Sequence, residues 1–240
     1  MNTALSFLIL FSGACLQGLT GFSYSLFSLP LLAFLMPVSS AVPILCLTSI
    51  FLNLLVYFRA RKSLDFKRIL PLLISGTVAL PTGIWVLKTA DESTLKVIIG
   101  ILVTLSSLIY LSGFRVKVRR ERLAMIPVGF LSGLLNGATT FSGPPVILFF
   151  ANQKVIKHQF RASLAAYFLL LNIIAVPAFI AGGLLSSELA LDTLYRFPAV
   201  VLGALLGIKL ADFVSEEKFR FLALLALGFL GILSVASGLF

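Results

Sequence analysis

Two clusters of amide and hydroxyl side chains interrupt otherwise apolar stretches of this chain of 240 residues. The first reads Gln17-Gly18-Leu19-Thr20-Gly21-Phe22-Ser23, and the second Asn136-Gly137-Ala138-Thr139-Thr140-Phe141-Ser142-Gly143-Pro144-Pro145. Such groups do not cleave bonds unaided. A nucleophilic serine needs a base, and the only histidine, His158, lies in a basic loop beside Lys157. No HExxH motif or carboxylate pair accompanies them, so an intramembrane hydrolase is disfavoured and no enzyme activity is expected. What these residues can do is donate hydrogen bonds to an oxyanion, with help from the free N–H groups and positive dipole end of a helix that starts next to them.

The elements that must hold these clusters are hydrophobic helices. Hydrophobic residues make up 59% of the chain and charged residues 12%, against about 45–50% and about 25% in soluble domains. The mean hydropathy is +1.09. Stretches at 41–57, 69–87, 95–113, 163–183, 197–210 and 219–240 approach or exceed the length that crosses a bilayer as helix, about 20 residues. Period-two alternation, the mark of a barrel, is absent from them. Met1-Asn2-Thr3 lacks the basic start of a secretory signal, so no cleaved leader is expected. Cys15 and Cys46 sit in apolar runs without metal-ligand spacing and read as small buried hydrophobes.

The net charge of +10 is not a nucleic-acid footprint, because the basic residues fall in short loops between spans. Arg59, Arg61, Lys62, Lys67 and Arg68 form one cluster, Arg115, Lys117, Arg119, Arg120 and Arg122 a second, and Lys154, Lys157 and Arg161 a third. The positive-inside rule places loops 59–68 and 115–122 in the cytoplasm. The loops bearing Asp91 with Glu92, and Glu188 with Asp192, then face outward, as do both termini.

Each half carries an interrupted pair of short segments, 4–19 with 24–36 and then 123–136 with 146–152, followed by three full spans. If each short pair enters and leaves on one side, three further crossings turn the second half upside down. The expected fold is therefore all-α, with two inverted-topology repeats at 1–113 and 123–240 and a basic cytoplasmic linker at 114–122. Traces of duplication agree: Asn53 and Asn172 hold matching places after each break, and Pro71 with Gly76 matches Pro198 with Gly203. Polar interruptions at corresponding places in two halves point to a solute site.

With these residues in view, the chain resembles the TauE/SafE family of sulfite and organosulfur anion exporters along essentially its whole length. The resemblance rests on the duplicated glycine-rich break followed by proline (Gly18 to Gly21 with Pro30, and Gly137 to Pro145), on the stretch from Arg161 to Asn172, and on Gly203-Ala204-Leu205-Leu206-Gly207. It implies export of a small anion such as sulfite, a sulfonate or a related oxyanion across the cell membrane, with the lipid bilayer as the other partner. Phe22-Ser23-Tyr24 departs from a fuller glycine run.

The candidate contacts are Gln17, Gly18, Thr20, Gly21 and Ser23 at the first break, Asn136, Gly137, Thr139, Thr140, Ser142 and Gly143 at the second, and Asn53 and Asn172 one span later. Ser23 is a candidate N-cap whose successors Tyr24, Ser25 and Leu26 keep their N–H groups, whereas Pro144 and Pro145 supply none, so the site should be asymmetric. Each small residue also has a packing reading. Gly133-xxx-Gly137 and Gly203-xxx-Gly207 have the spacing of close helix contact, and for Gly203 packing is the preferred reading. Gln17, Asn53 and Asn172 could equally bond across a helix interface. Tyr167 ranks below the amides. Lys209 reads as a snorkelling residue or a partner for Asp212, and Arg161 as a topology anchor or an inner anion guide.

No carboxylate lies near the middle of a span, so the usual proton relay is missing. Expelling one negative charge from a negative interior gains about 2.3 kcal/mol per 100 mV, enough to drive uniport or exchange. No cofactor or metal is implied. An anion channel and a non-transporting membrane scaffold are the remaining alternatives.

Overall fold

The computed structural model describes residues 3–21, 23–112, 120–153, 157–210, 228–229 and 231–238. Every bounded element among them is helical: α1 (Thr3–Thr20), α2 (Tyr24–Leu32), α3 (Val38–Ala60), α4 (Phe66–Thr89), α5 (Glu92–Ser112), α6 (Glu121–Thr139), α7 (Gly143–Asn152), α8 (Lys157–Ala181) and α9 (Ser187–Leu210), with a short 3-10 turn at Arg61–Ser63. Residues 231–238 are helical as well. Five helices, α3, α4, α5, α8 and α9, are long and apolar enough to cross a membrane. Helices α2 and α7, with 9 and 10 residues, rise only about 15 Å, half of what a hydrocarbon core demands. Most of the linker at 114–122 and of the expected span at 219–240 lies outside the described residues, as do Arg115, Lys117, Arg119, Lys154 and Asp212.

Helix ends follow their flanking chemistry. Asp65 caps α4 by accepting the Arg68 N–H at 3.2 Å. Asp91 takes both the Thr94 N–H and the Thr94 hydroxyl at the start of α5, and that hydroxyl, with the N–H behind it, holds the exposed Asp91 carboxyl below its ordinary value. Pro37 cannot cap α3 with its side chain, and Glu92 Oε1 reaches across from α5 to accept the Val38 N–H at 2.9 Å.

One boundary departs from the sequence reading. Helix α9 begins ten residues before the expected span and takes in Glu188, Asp192 and Arg196. Arg196 is fully buried, pairs with Asp192 one turn earlier, and donates through Nε to Ser6 of α1 at 3.2 Å. It is a basic residue inside a helix that hydropathy had assigned to a loop.

Helix pairing is reciprocal. The helix before the first break, α1, packs along α9, and the helix before the second, α6, packs along α4, while α3 packs on α8. Both seams are made by backbone. A Cβ on Gly18 would stand 2.6 Å from Ala204 O, and one on Gly207 would meet the Cys15 backbone. Across the other seam, Gly133 lies against the backbone of Gly76, and Gly137 against that of Leu80 and Gly83. Only glycine allows helices this close. Outside the bundle, Ile74, Val78 and Trp85 of α4, Ile101, Leu105 and Leu108 of α5, and Leu191, Leu194 and Leu202 of α9 are exposed. An apolar surface of this kind is what lipid covers.

Candidate functional site

Each break is a residue turned into the left-handed region. Helix α1 closes with the Gly21 N–H donating to Gln17 O at 2.7 Å, and Gly21 then adopts φ +85°, a conformation free of cost for glycine alone. Helix α6 closes with the Thr140 N–H on Asn136 O at 2.9 Å, and Thr140 adopts φ +58°. For a β-branched residue that conformation stores strain of about 1–2 kcal/mol. Ser23, at φ +109°, adds a second left-handed residue to the first break.

These turns bring an amide pair to each break, and the two pairs have the same spacing. Gln17 Nε2 donates to Asn53 Oδ1 at 3.2 Å, and Asn136 Nδ2 donates to Asn172 Oδ1 at 3.1 Å, both across 36 residues of sequence. Asn53 and Asn172 each sit fifteen residues into their helices, α3 and α8, about 22 Å along the axis. At the first break the Tyr24 N–H also donates to Gln17 Oε1 at 3.3 Å. Tyr24 Oη lies 2.8 Å from Thr48 Oγ1, and since the Thr48 hydroxyl is directed at Ile44 O, tyrosine is the donor.

Between the breaks lies a cavity of about 50 Å³. Gln17, Ser23, Asn53, Thr140, Ser142, Gly143 and Asn172 all line it, so seven of the expected contacts converge on one space. Among the described residues, no charged side chain lines it. The Nδ2 groups of Asn53 and Asn172 make no hydrogen bond to described residues, and the helix starts at Ser25 and Leu26 add N–H groups without intrahelical acceptors. Among the described residues, no His, Cys, Asp or Glu cluster could hold a metal ion.

The other expected contacts are placed elsewhere. Gly18 and Gly137 belong to the helix seams, where backbone approaches them directly. Thr20 donates to Leu16 O at 2.8 Å, and Thr139 to Leu135 O at 2.9 Å, so both hydroxyls close their own helices. Gly21 makes the turn, with Arg161 Nε 3.9 Å from where its Cβ would be. Asn136 is fully buried behind Asn172 and reaches the cavity only through it. Ser23 and Ser142 occupy N-cap positions, but neither side chain caps. The hydroxyl of the left-handed Ser23 lies 3.3 Å from that of Thr20, and the Ser142 carbonyl takes the Ser132 hydroxyl at 2.7 Å. The Thr140 hydroxyl is directed at Thr139 O at 2.6 Å, which leaves the amides as the stronger donors.

Sequence reasoning missed Ser49, Phe141, Ile147 and Phe168, all of which line the cavity. Ser49 and Phe168 had a signal: each precedes its asparagine by four residues and so shares that asparagine's helix face. Tyr167, buried with its ring against Phe168, lies outside the lining.

A bundle of apolar helices with two broken elements meeting at a half-open cavity that amides and hydroxyls line is the build of a membrane transporter. The profile of the family described as Sulfite exporter TauE/SafE matches residues 5–234, and the chain belongs to that family, whose members are transporters and not enzymes. No curated protein and no solved structure matches it.

Proposed function

We propose that this transporter exports a small oxyanion, sulfite before any larger organosulfonate, by binding it in the cavity between the breaks. The observation that carries the proposal is the lining itself: amides and hydroxyls from both breaks and from α3 and α8, with no carboxylate among the described residues to repel an anion. At about 50 Å³ the cavity is small beside the pockets that hold drug-sized ligands, which favours a compact oxyanion. Sulfite is one. Its charge is balanced by oriented dipoles: the Asn53 and Asn172 amides, Ser49 and Ser142, and the start of α2.

In this reading residues 1–113 and 123–240 are oppositely oriented repeats joined through the basic stretch 114–122. The matched amide spacing and the reciprocal packing of α1 on α9 and α6 on α4 support it. Loops 59–68 and 115–122 face the cytoplasm of a plasma membrane and both termini lie outside. The membrane potential drives uniport or exchange, at about 2.3 kcal/mol per charge per 100 mV. The test is efflux of labelled sulfite from proteoliposomes at clamped voltage. Wild type should carry it, Asn53→Leu should abolish most of the flux, and Thr140→Val should reduce it less. Undiminished flux in Asn53→Leu would remove the cavity from the pathway.

A further inference from the structure

An amide side chain has a donor end and an acceptor end, and which end faces a solute decides whether it favours an anion. At the first break that choice is fixed by a group that cannot reverse. The Tyr24 backbone N–H can only donate, so the Gln17 atom it meets at 3.3 Å must be the carbonyl oxygen. The Gln17 NH2 is thereby turned to Asn53, which must answer with Oδ1 at 3.2 Å, and the Asn53 NH2 is left for the cavity. The chain N–H to Gln17 to Asn53 runs in one sense only.

The second break lacks the lock. Asn136 Nδ2 meets Asn172 Oδ1 at 3.1 Å, but Asn136 Oδ1, in a fully buried residue, has no hydrogen-bond partner among the described residues. Helix α7 opens with Gly143-Pro144-Pro145, so two of its first three positions have no N–H to offer. With no donor holding Asn136, both asparagines can turn over together, and Asn172 then shows its carbonyl to the cavity at no loss of hydrogen bonds within the protein. An acceptor there is useful for one class of solute: an anion that still carries a hydroxyl.

We propose that Gln17 is the positioning residue that fixes Asn53 as a donor, and that the Asn136–Asn172 pair is reversible, so the cavity takes pyramidal oxyanions both with and without one hydroxyl. This rests on the proposed reading of the cavity as the anion site. The probes are two pyramidal monoanions of four heavy atoms, chlorate, which has no proton, and hydrogen selenite, which has one hydroxyl. Labelled efflux of each is measured from the same proteoliposomes just below neutral pH, and the ratio of the two is independent of how much protein has inserted.

Wild type should carry both within about fivefold of one another, the worth of one net hydrogen bond. In Asn136→Asp the ionised side chain only accepts, so Asn172 must show its carbonyl to the cavity. The ratio then shifts toward hydrogen selenite by about fivefold or more, while any added charge repels both monoanions alike. In Gln17→Met, Asn53 is released, and chlorate falls by about fivefold while hydrogen selenite falls less. Exclusion of hydrogen selenite by wild type, or a ratio unmoved in both variants, overturns the proposal. If the variants do not insert, the wild-type ratio alone decides. A wild type that carries sulfite but neither probe sinks this inference and spares the cavity reading. One that carries no small oxyanion sinks both.

Discussion

The two breaks solve one problem with different chemistry. At the first, Gly21 makes the turn at no cost, Ser49 lines the cavity, and the next helix opens with residues that keep their N–H groups. At the second, Thr140 makes the turn under strain, Phe168 stands where the first has Ser49, and two prolines open the helix. Both breaks converge on the same cavity, and each holds an amide pair of the same spacing, Gln17 with Asn53 and Asn136 with Asn172. What differs is preorganisation: one side presents fixed donors, and the other presents a shaped, drier wall with one adaptable amide. Two breaks that converge on one cavity therefore need not line it alike.

The sharpest break of this comparison removes one asparagine at a time. Asn53→Leu should lower anion flux about hundredfold and Asn172→Leu about tenfold, the upper and lower worth of a buried hydrogen bond to a charge. Equal losses would erase the distinction between fixed and adaptable donors. Proteoliposome flux normalised to inserted protein gives the ratio.

Next in size is the α1–α9 seam behind the first break. Arg196 there is buried with Asp192 as its charge partner, so Asp192→Ala should cost about 2 kcal/mol of stability, read as a lower melting temperature in detergent. A smaller effect of opposite sign tests the turns. Thr140→Gly should relieve about 1 kcal/mol of backbone strain and raise the melting temperature. Gly21→Ala should lower it by a similar amount, because φ +85° suits glycine only. The smallest change is Glu121→Gln at the α4–α6 seam. The Arg68–Glu121 pair, at 2.5 Å, is partly exposed on both sides and should contribute about 0.5 kcal/mol or less, leaving melting almost unmoved.

Much of this arrangement could be read from the chain, and the reasons are specific. The breaks were visible because polar and glycine residues stand out in apolar runs, and Asn53 and Asn172 because an amide in such a run needs a partner. Gly18 and Gly137 were ambiguous, since the residue that exposes backbone to a solute is also the residue that lets two helices touch. Asn136 lies one layer behind the cavity: sequence shows a polar group near a break but not whether it lines the cavity or bonds a side chain that does. The early start of α9 was hidden because Glu188, Asp192 and Arg196 look like a solvated loop until the pairing of Arg196 with Asp192 and Ser6 is known. Ser49 was overlooked because a lone serine carries little signal without the register that ties it to Asn53.

The cross-fastening of the helices has a consequence for how the molecule could be cut. The segment leading into the first break is clasped by α9, and the one leading into the second by α4. A cut between α5 and α6 would leave each fragment with its clasp on the other piece, so neither should survive alone while the two together could reassemble.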